Sequence, residues 1–324
     1  FSPTFLTLFS FIMVAFAAFT VLLANAIQHP FTALTNVVES FTQSYRPPYL
    51  PLLPPMGGGP NASQVDPPPF NPVQASFLQF LYVPPTQLAI ETVFYVAVGY
   101  VLLRMGQTGR TASLAGKTIG DRLSRRCHTR PRSSLDLLVG GSLVVGLVLH
   151  AYYKLARPLP PGPLPFHPDV FFMTQPCHVS AAIYAFVLLT RDTDRGEYWY
   201  NIGFHYIYGT LLAMATPDLK GKGQAGEVEA FWVQHVLIAI APFYLLVTRR
   251  YRMYTSNWPW AIAIGYACFF HNLVQLPLSV LLGINYNYMV QPPPGQPFAG
   301  RFYKPFLGFF QALVCFIAGR WLPK

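Results

Sequence analysis

The sequence predicts an all-α fold, a polytopic bundle of about eight transmembrane helices. Three observations predict it. Only 10% of the residues are charged while 52% are hydrophobic, against roughly 25% charged in an average soluble domain. Several apolar stretches reach the ~20 residues that a helix needs to cross a bilayer, without an internal charge. These runs are continuous rather than alternating, which excludes the strands of a membrane barrel.

The first apolar run, Thr4–Ile27, is too long for a signal-peptide core of about 7–15 residues and reads as a retained membrane helix. After it comes a loop over 28–85, and its middle reads RPPYLPLLPPMGGGPNASQVDPPPF. So much Pro and Gly is incompatible with a helix or a central strand. Further spans are predicted at Thr86–Met105, Leu135–Leu155, Phe171–Thr190, Asn201–Thr216, Val228–Val247, Trp258–Leu282 and Phe302–Leu322. The chain thus divides into an anchor helix with its Pro-rich loop (1–85) and a helical membrane domain (86–324).

Loop charge sets the expected topology. Fifteen of the 22 basic residues, including Arg110, Arg122, Arg130, Arg191, Arg250 and Arg320, fall on the face that also holds both termini. The positive-inside rule makes that face cytosolic, stromal or matrix-side. The loop over 28–85 and the sequon Asn61-Ala62-Ser63 then lie outside. An excess of cations in such a chain serves topology and lipid headgroups, so nucleic acid is not an expected partner. The four cysteines show no CxxC pair and no Cys/His ligand spacing, which argues against a disulfide framework and a metal site; no cofactor is expected.

Polar residues inside spans are costly and therefore functional candidates. They gather in the second half of the chain: Gln175-Pro176-Cys177-His178, His205, Gln234-His235, and His271-Asn272 with Gln275, followed by Asn285-Tyr286-Asn287-Tyr288. A thiol becomes a strong nucleophile as a thiolate, which a nearby imidazole can generate. Adjacent helical residues point about 100° apart, so Cys177 needs a base from another helix rather than from His178. His235 is the first choice, then His205 and His271. The plain alternatives are a small buried thiol and histidines that tie helices together.

These motifs carry a resemblance. TQPCHVSAAIYAFVLL (174–189), FHYIYGTLLAMATP (204–217), FWVQHVLIAIAPFYLL (231–246) and the segment from Phe269 to Lys304 occur in the order and spacing of the transmembrane protein 164 family. The sequence resembles that family over roughly 171–304. The resemblance implies a multi-span acyltransferase that remodels phospholipids in the endoplasmic reticulum, with phospholipids and lysophospholipids as its partners. Under it Cys177 is the nucleophile, and His178, His235 and His271 are candidate catalytic histidines. His205, Gln234, Asn272, Asn285 and Asn287 are expected to bind lipid or orient the site. A competing reading is a non-catalytic subunit of a large membrane complex in a mitochondrion or plastid, contacting other subunits through the loop over 28–85. A transporter has less support, because no cluster of intramembrane charges and no inverted repeat is visible.

Overall fold

A computed structural model describes residues 85–115, 130–158, 167–217, 219, 222–254, 256–282, 284–290 and 303–321. The predicted first span, the Pro-rich loop and the sequon lie outside the described residues. Every regular element among these residues is helical: α1 (Pro85–Leu114), α2 (Ser134–Leu155), a 3₁₀ turn (Pro168–Thr174), α3 (Pro176–Leu189), α4 (Thr193–Gly203), α5 (Ile207–Ala215), α6 (Glu227–Val247), α7 (Trp258–Phe270), α8 (Leu276–Leu282) and α9 (Tyr303–Trp321). Four stretches, Gln87–Leu114, Ser134–Leu155, Glu227–Val247 and Trp258–Leu282, are long and apolar enough to cross a membrane; Pro176–Leu189 and Tyr303–Gly319 are shorter apolar helices.

Two predicted spans take a different form. The stretch Phe171–Thr190 is broken at Gln175, which adopts an extended conformation (φ −65°, ψ 150°) between the 3₁₀ turn and α3. The cause is Pro176. Its ring pushes the preceding residue out of the helical region and sits comfortably at a first helical position. The stretch Asn201–Thr216 starts earlier, at Thr193, because Asp192 accepts a hydrogen bond from the Arg195 backbone at 3.0 Å and caps α4. This rod bends through a 3₁₀ turn at Phe204–Tyr206 before α5.

The core is built from two packings. In the first, α2, α3, α4 and α6 enclose Leu143, Tyr184, Leu188, Tyr200, Phe204 and Ile238 without exposure. In the second, α1 lies against α7 along a seam of glycines. A Cβ on Gly106 would stand 2.4 Å from Ile262 Cγ1, and one on Gly265 would stand 2.7 Å from Leu103 Cγ. Lipid tails are as apolar as the side chains, so close backbone approach and van der Waals contact hold such helices together.

A buried carboxylate closes the basic end of the bundle. Asp136 has no exposed side-chain surface. It takes two hydrogen bonds from Arg130 (2.8 and 2.7 Å) and one from Tyr244 Oη (2.7 Å), and it completes the capping box of α2 with Ser133. Arg130 also donates to Thr248 Oγ1 at 3.1 Å. Arg250 donates to the carbonyls of Arg130 and Thr190, and Arg132 to that of Leu189, so the C-terminal end of α3 is capped by cations. Outside the membrane helices, Glu197 accepts from Arg252 (2.7 Å) and Tyr254 (2.6 Å). This partner raises the Arg252 guanidinium above its ordinary value.

Two predictions follow from this packing. Asp136→Ala leaves Arg130 and Arg250 without their shared anion, and thermal unfolding of the purified protein in detergent should show a loss of about 3–5 kcal/mol, the cost of breaking a buried pair. Gly106→Leu forces a side chain into Ile262 and should cost about 1–3 kcal/mol in the same measurement, whereas the same change at Gly141, which has open space around it, should cost far less.

Candidate functional site

The break at Gln175 leaves α3 with an unusual beginning. Gln175 makes no side-chain cap and Pro176 has no N–H, so the first N–H groups of α3 are those of Cys177 and His178. Cys177 occupies the second helical position and is half-buried, with the N–H groups of Cys177 and His178 turned toward its sulfur. A helix N-terminus favours a thiolate and binds anions through such groups. The ammonium groups of Lys154 and Lys222 lie at the same end of the helices. Each is held over an aromatic ring, Lys154 5.3 Å from the Phe172 centroid and Lys222 5.2 Å from that of Phe231.

Behind Cys177 lies a cluster of buried imidazoles. Gln234 Nε2 stands 3.3 Å from His178 Nδ1, which pins α6 to the first turn of α3. His150 of α2 stacks obliquely on His178 with ring centroids 5.1 Å apart. His235 Nδ1 donates to the Phe231 carbonyl at 2.7 Å, and its ring lies on Phe231 with centroids 4.0 Å apart. The Phe231 carbonyl fixes the tautomer: with the proton on Nδ1, Nε2 carries the lone pair. His235 Nε2, His150 Nε2 and Gln234 Oε1 are buried without a hydrogen-bond partner. His178 and His235 are close enough to act electrostatically on each other.

At the rim, Arg157 pairs with both Asp169 and Glu227, joining the end of α2, the 3₁₀ turn and the start of α6. His167 accepts from the Asp169 backbone at 3.2 Å and caps that turn. Burial, with Arg157 and Lys154 beside it, pushes the His167 imidazole below its ordinary value despite Asp169.

The other sequence candidates fall elsewhere. His205 Nδ1 donates to the Cys315 carbonyl at 2.9 Å, and a Cβ on Gly319 would stand 1.8 Å from its ring, so it ties the 3₁₀ turn before α5 to α9. His271 opens a π-bulge over His271–Gln275. The bulge lies just before Pro277, whose ring would clash with the carbonyl four residues back in a regular helix. Asn287 holds a left-handed conformation (φ 48°) and places its Nδ2 3.1 Å from His271 Nε2 and 3.3 Å from Gln275 Oε1. Gln275 in turn donates to the Thr174 carbonyl at 2.6 Å, just upstream of Cys177. Asn272 donates to the Cys268 carbonyl, and Asn285 Oδ1 accepts from the Val290 backbone. His271, Asn272 and Asn287 together line a cavity of about 80 Å³. Sequence reasoning missed His150, Lys154 and Lys222 at the thiol. A histidine and a lysine four residues apart at the end of an apolar run were the available signal.

The fold and this site define a class: a helical membrane protein with a half-open cysteine at an uncapped helix end, backed by buried histidines. The TMEM164 family profile matches residues 82–321, and the chain belongs to that family. A transmembrane protein 164 homolog of Dictyostelium discoideum is 34% identical over 163 residues, which are 50% of this chain and 56% of that protein. The chain is thus matched to little more than half the length of that relative. No solved structure matches the chain.

The geometry gives a direct expectation for the thiol. A lipid-like thiol-reactive probe should label Cys177 faster than the buried Cys315, and His235→Ala should slow that labelling toward the Cys315 rate. Mass spectrometry of labelled peptides over time checks both.

Proposed function

We propose that the protein is a membrane-embedded acyltransferase that remodels phospholipids through a thioester on Cys177. The observation that carries this reading is a partly buried thiol at the start of α3 and, in the histidine cluster packed on the same turn, an imidazole, His235, whose Nδ1 proton is fixed and whose Nε2 has no partner. A nucleophile, a base and a group that orients the base are what acyl transfer by a thiol requires.

The first step is attack of the Cys177 sulfur on an ester carbonyl of a donor phospholipid, as His235 Nε2 takes the thiol proton. The tetrahedral oxyanion, which forms beside the sulfur, is held by the Cys177 and His178 N–H groups at the start of α3, and donors of this kind are the largest contribution in many acyl transfers. The carbon–oxygen ester bond breaks and the proton on His235 passes to the departing alkoxide, giving a lysophospholipid and the acyl-thioester. In the second step the hydroxyl of an acceptor lysophospholipid gives its proton to His235 and attacks the thioester, which restores the thiol. In this scheme Lys154 and Lys222 neutralise the phosphates of both lipids. His178 and Gln234 position α6 against α3. Membership of the TMEM164 family supports this reading.

Cys177→Ala should abolish exchange of labelled acyl chains between phospholipids in reconstituted vesicles, and His235→Ala should lower it by about 10²-fold or more, the usual contribution of a general base. A Cys177→Ala protein that exchanges acyl chains at the wild-type rate would overturn the scheme. It would leave the competing reading of a non-catalytic membrane subunit.

A further inference from the structure

The short 3₁₀ turn Tyr286–Tyr288 follows α8. Asn287 and Tyr288 both have positive φ there (48° and 59°), and neither is glycine. Asparagine tolerates that conformation, whereas tyrosine rarely adopts it, so the surroundings must hold the turn in place. What they hold it against is the 3₁₀ turn Pro168–Thr174 that leads into the thiol. The buried Tyr286 ring packs edge-on against Phe172 and Phe171, with centroids 4.7 and 6.3 Å apart. Asn287 turns its amide toward the π-bulge over His271–Gln275, a backbone form that recurs at functional sites.

The amides form a directed chain. Asn287 Nδ2 carries two hydrogens, one for Gln275 Oε1 at 3.3 Å and one for His271 Nε2 at 3.1 Å. With its oxygen engaged there, the fully buried Gln275 aims its Nε2 at the Thr174 carbonyl and donates to it at 2.6 Å. Thr174 stands three residues before Cys177, and the two residues between them are stiff. The Pro176 ring fixes its own φ and confines Gln175 to an extended conformation (φ −65°, ψ 150°). A hold on the Thr174 carbonyl is therefore passed on to the first turn of α3. That turn has no side-chain cap of its own, and helix ends without one fray.

Resting on the reading of Cys177 as the acyl-accepting nucleophile, we infer that Gln275 is a positioning residue for it. Through Thr174, Gln275 fixes the direction of the Cys177 and His178 N–H groups beside the sulfur. Asn287 sets the Gln275 amide the right way round, nitrogen toward Thr174. The strained turn after α8 thus serves as an external cap for the helix that carries the thiol.

The test uses the full chain in maltoside detergent and two probes that react with Cys177 by different routes, each followed by mass spectrometry of the Cys177 peptide. Acylation by p-nitrophenyl laurate forms a sulfur–carbon bond through an oxyanion, and p-nitrophenolate leaves. Alkylation by iodoacetamide displaces iodide and forms no oxyanion. Gln275→Met keeps the length of the side chain and removes the donor. Asn287→Asp keeps the shape and sets an acceptor against Gln275 Oε1, which turns that amide round. Each variant should slow acylation by about tenfold or more and alkylation by no more than about threefold. The double variant should be no slower than the slower single one, because both cut the same chain. Alkylation near the wild-type rate reports an intact first turn; if Gln275→Met fails to fold, Asn287→Asp, at a half-buried position, decides the matter. Acylation at the wild-type rate in both variants, equal slowing of both reactions in Asn287→Asp, or a double variant slowed by the product of the single effects would overturn the positioning role alone. A wild-type Cys177 that the ester does not acylate would overturn the acyl-transfer reading, and this role with it.

Discussion

The structure depends most on the burial of Asp136 among Arg130, Tyr244 and Arg250. In a solvent without water, a charge of this kind persists only when every lone pair is met. Meeting them fixes the rotation and height of α2 against α6 at the basic end. His150 lies 14 residues further along α2, about 21 Å away at 1.5 Å per residue, and His235 lies nine residues back along α6 from Tyr244. Rigid helices carry the register of the clamp to the opposite end, where His150, His178, Gln234 and His235 must interlock. Gly140 contributes by letting α2 close on Leu188 and Leu189, where a Cβ would stand 2.9–3.0 Å from their side chains.

The sequence made the long apolar helices legible because a continuous run needs no partner to declare itself. The spans read at Leu135–Leu155, Val228–Val247 and Trp258–Leu282 match helices within a residue or two. Misreadings came where local chemistry outranked hydropathy. Pro176 divided one span, and the polar helix TDRGEYWYNIG was passed over because its charges are satisfied by Arg252 and Tyr254 from a distant loop. The site was legible to the same extent. Cys177, His178, Gln234 and His235 stood out as polar residues within apolar runs, and the structure gathers the last three with His150 behind the first. His205 and His271 looked alike in sequence but serve the α9 contact and the π-bulge. Glu91 and Lys304 are more than two hundred residues apart, and only the fold brings them together as an ion pair.

Proline and asparagine do similar work at two places. Pro176 ends an extended residue and starts a helix; Pro277 forces a π-bulge, and Asn287 turns back to meet it through a left-handed residue. In each case a backbone irregularity frees polar groups at the same end of the bundle, and in each case those groups face a buried cluster rather than lipid. Non-helical backbone is tolerated in a membrane protein only under that condition.

The brevity of α3 has a consequence for the bilayer itself. Its 14 residues span about 21 Å, against about 30 Å for a typical hydrocarbon core, while its neighbours α2 and α6 have 22 and 21 residues. A helix too short for its membrane is accommodated by local thinning. One leaflet should therefore dip beside α3, carrying its glycerol-ester layer below the level of the surrounding headgroups. Such a depression would bring the ester layer toward the turn that carries the partly buried Cys177.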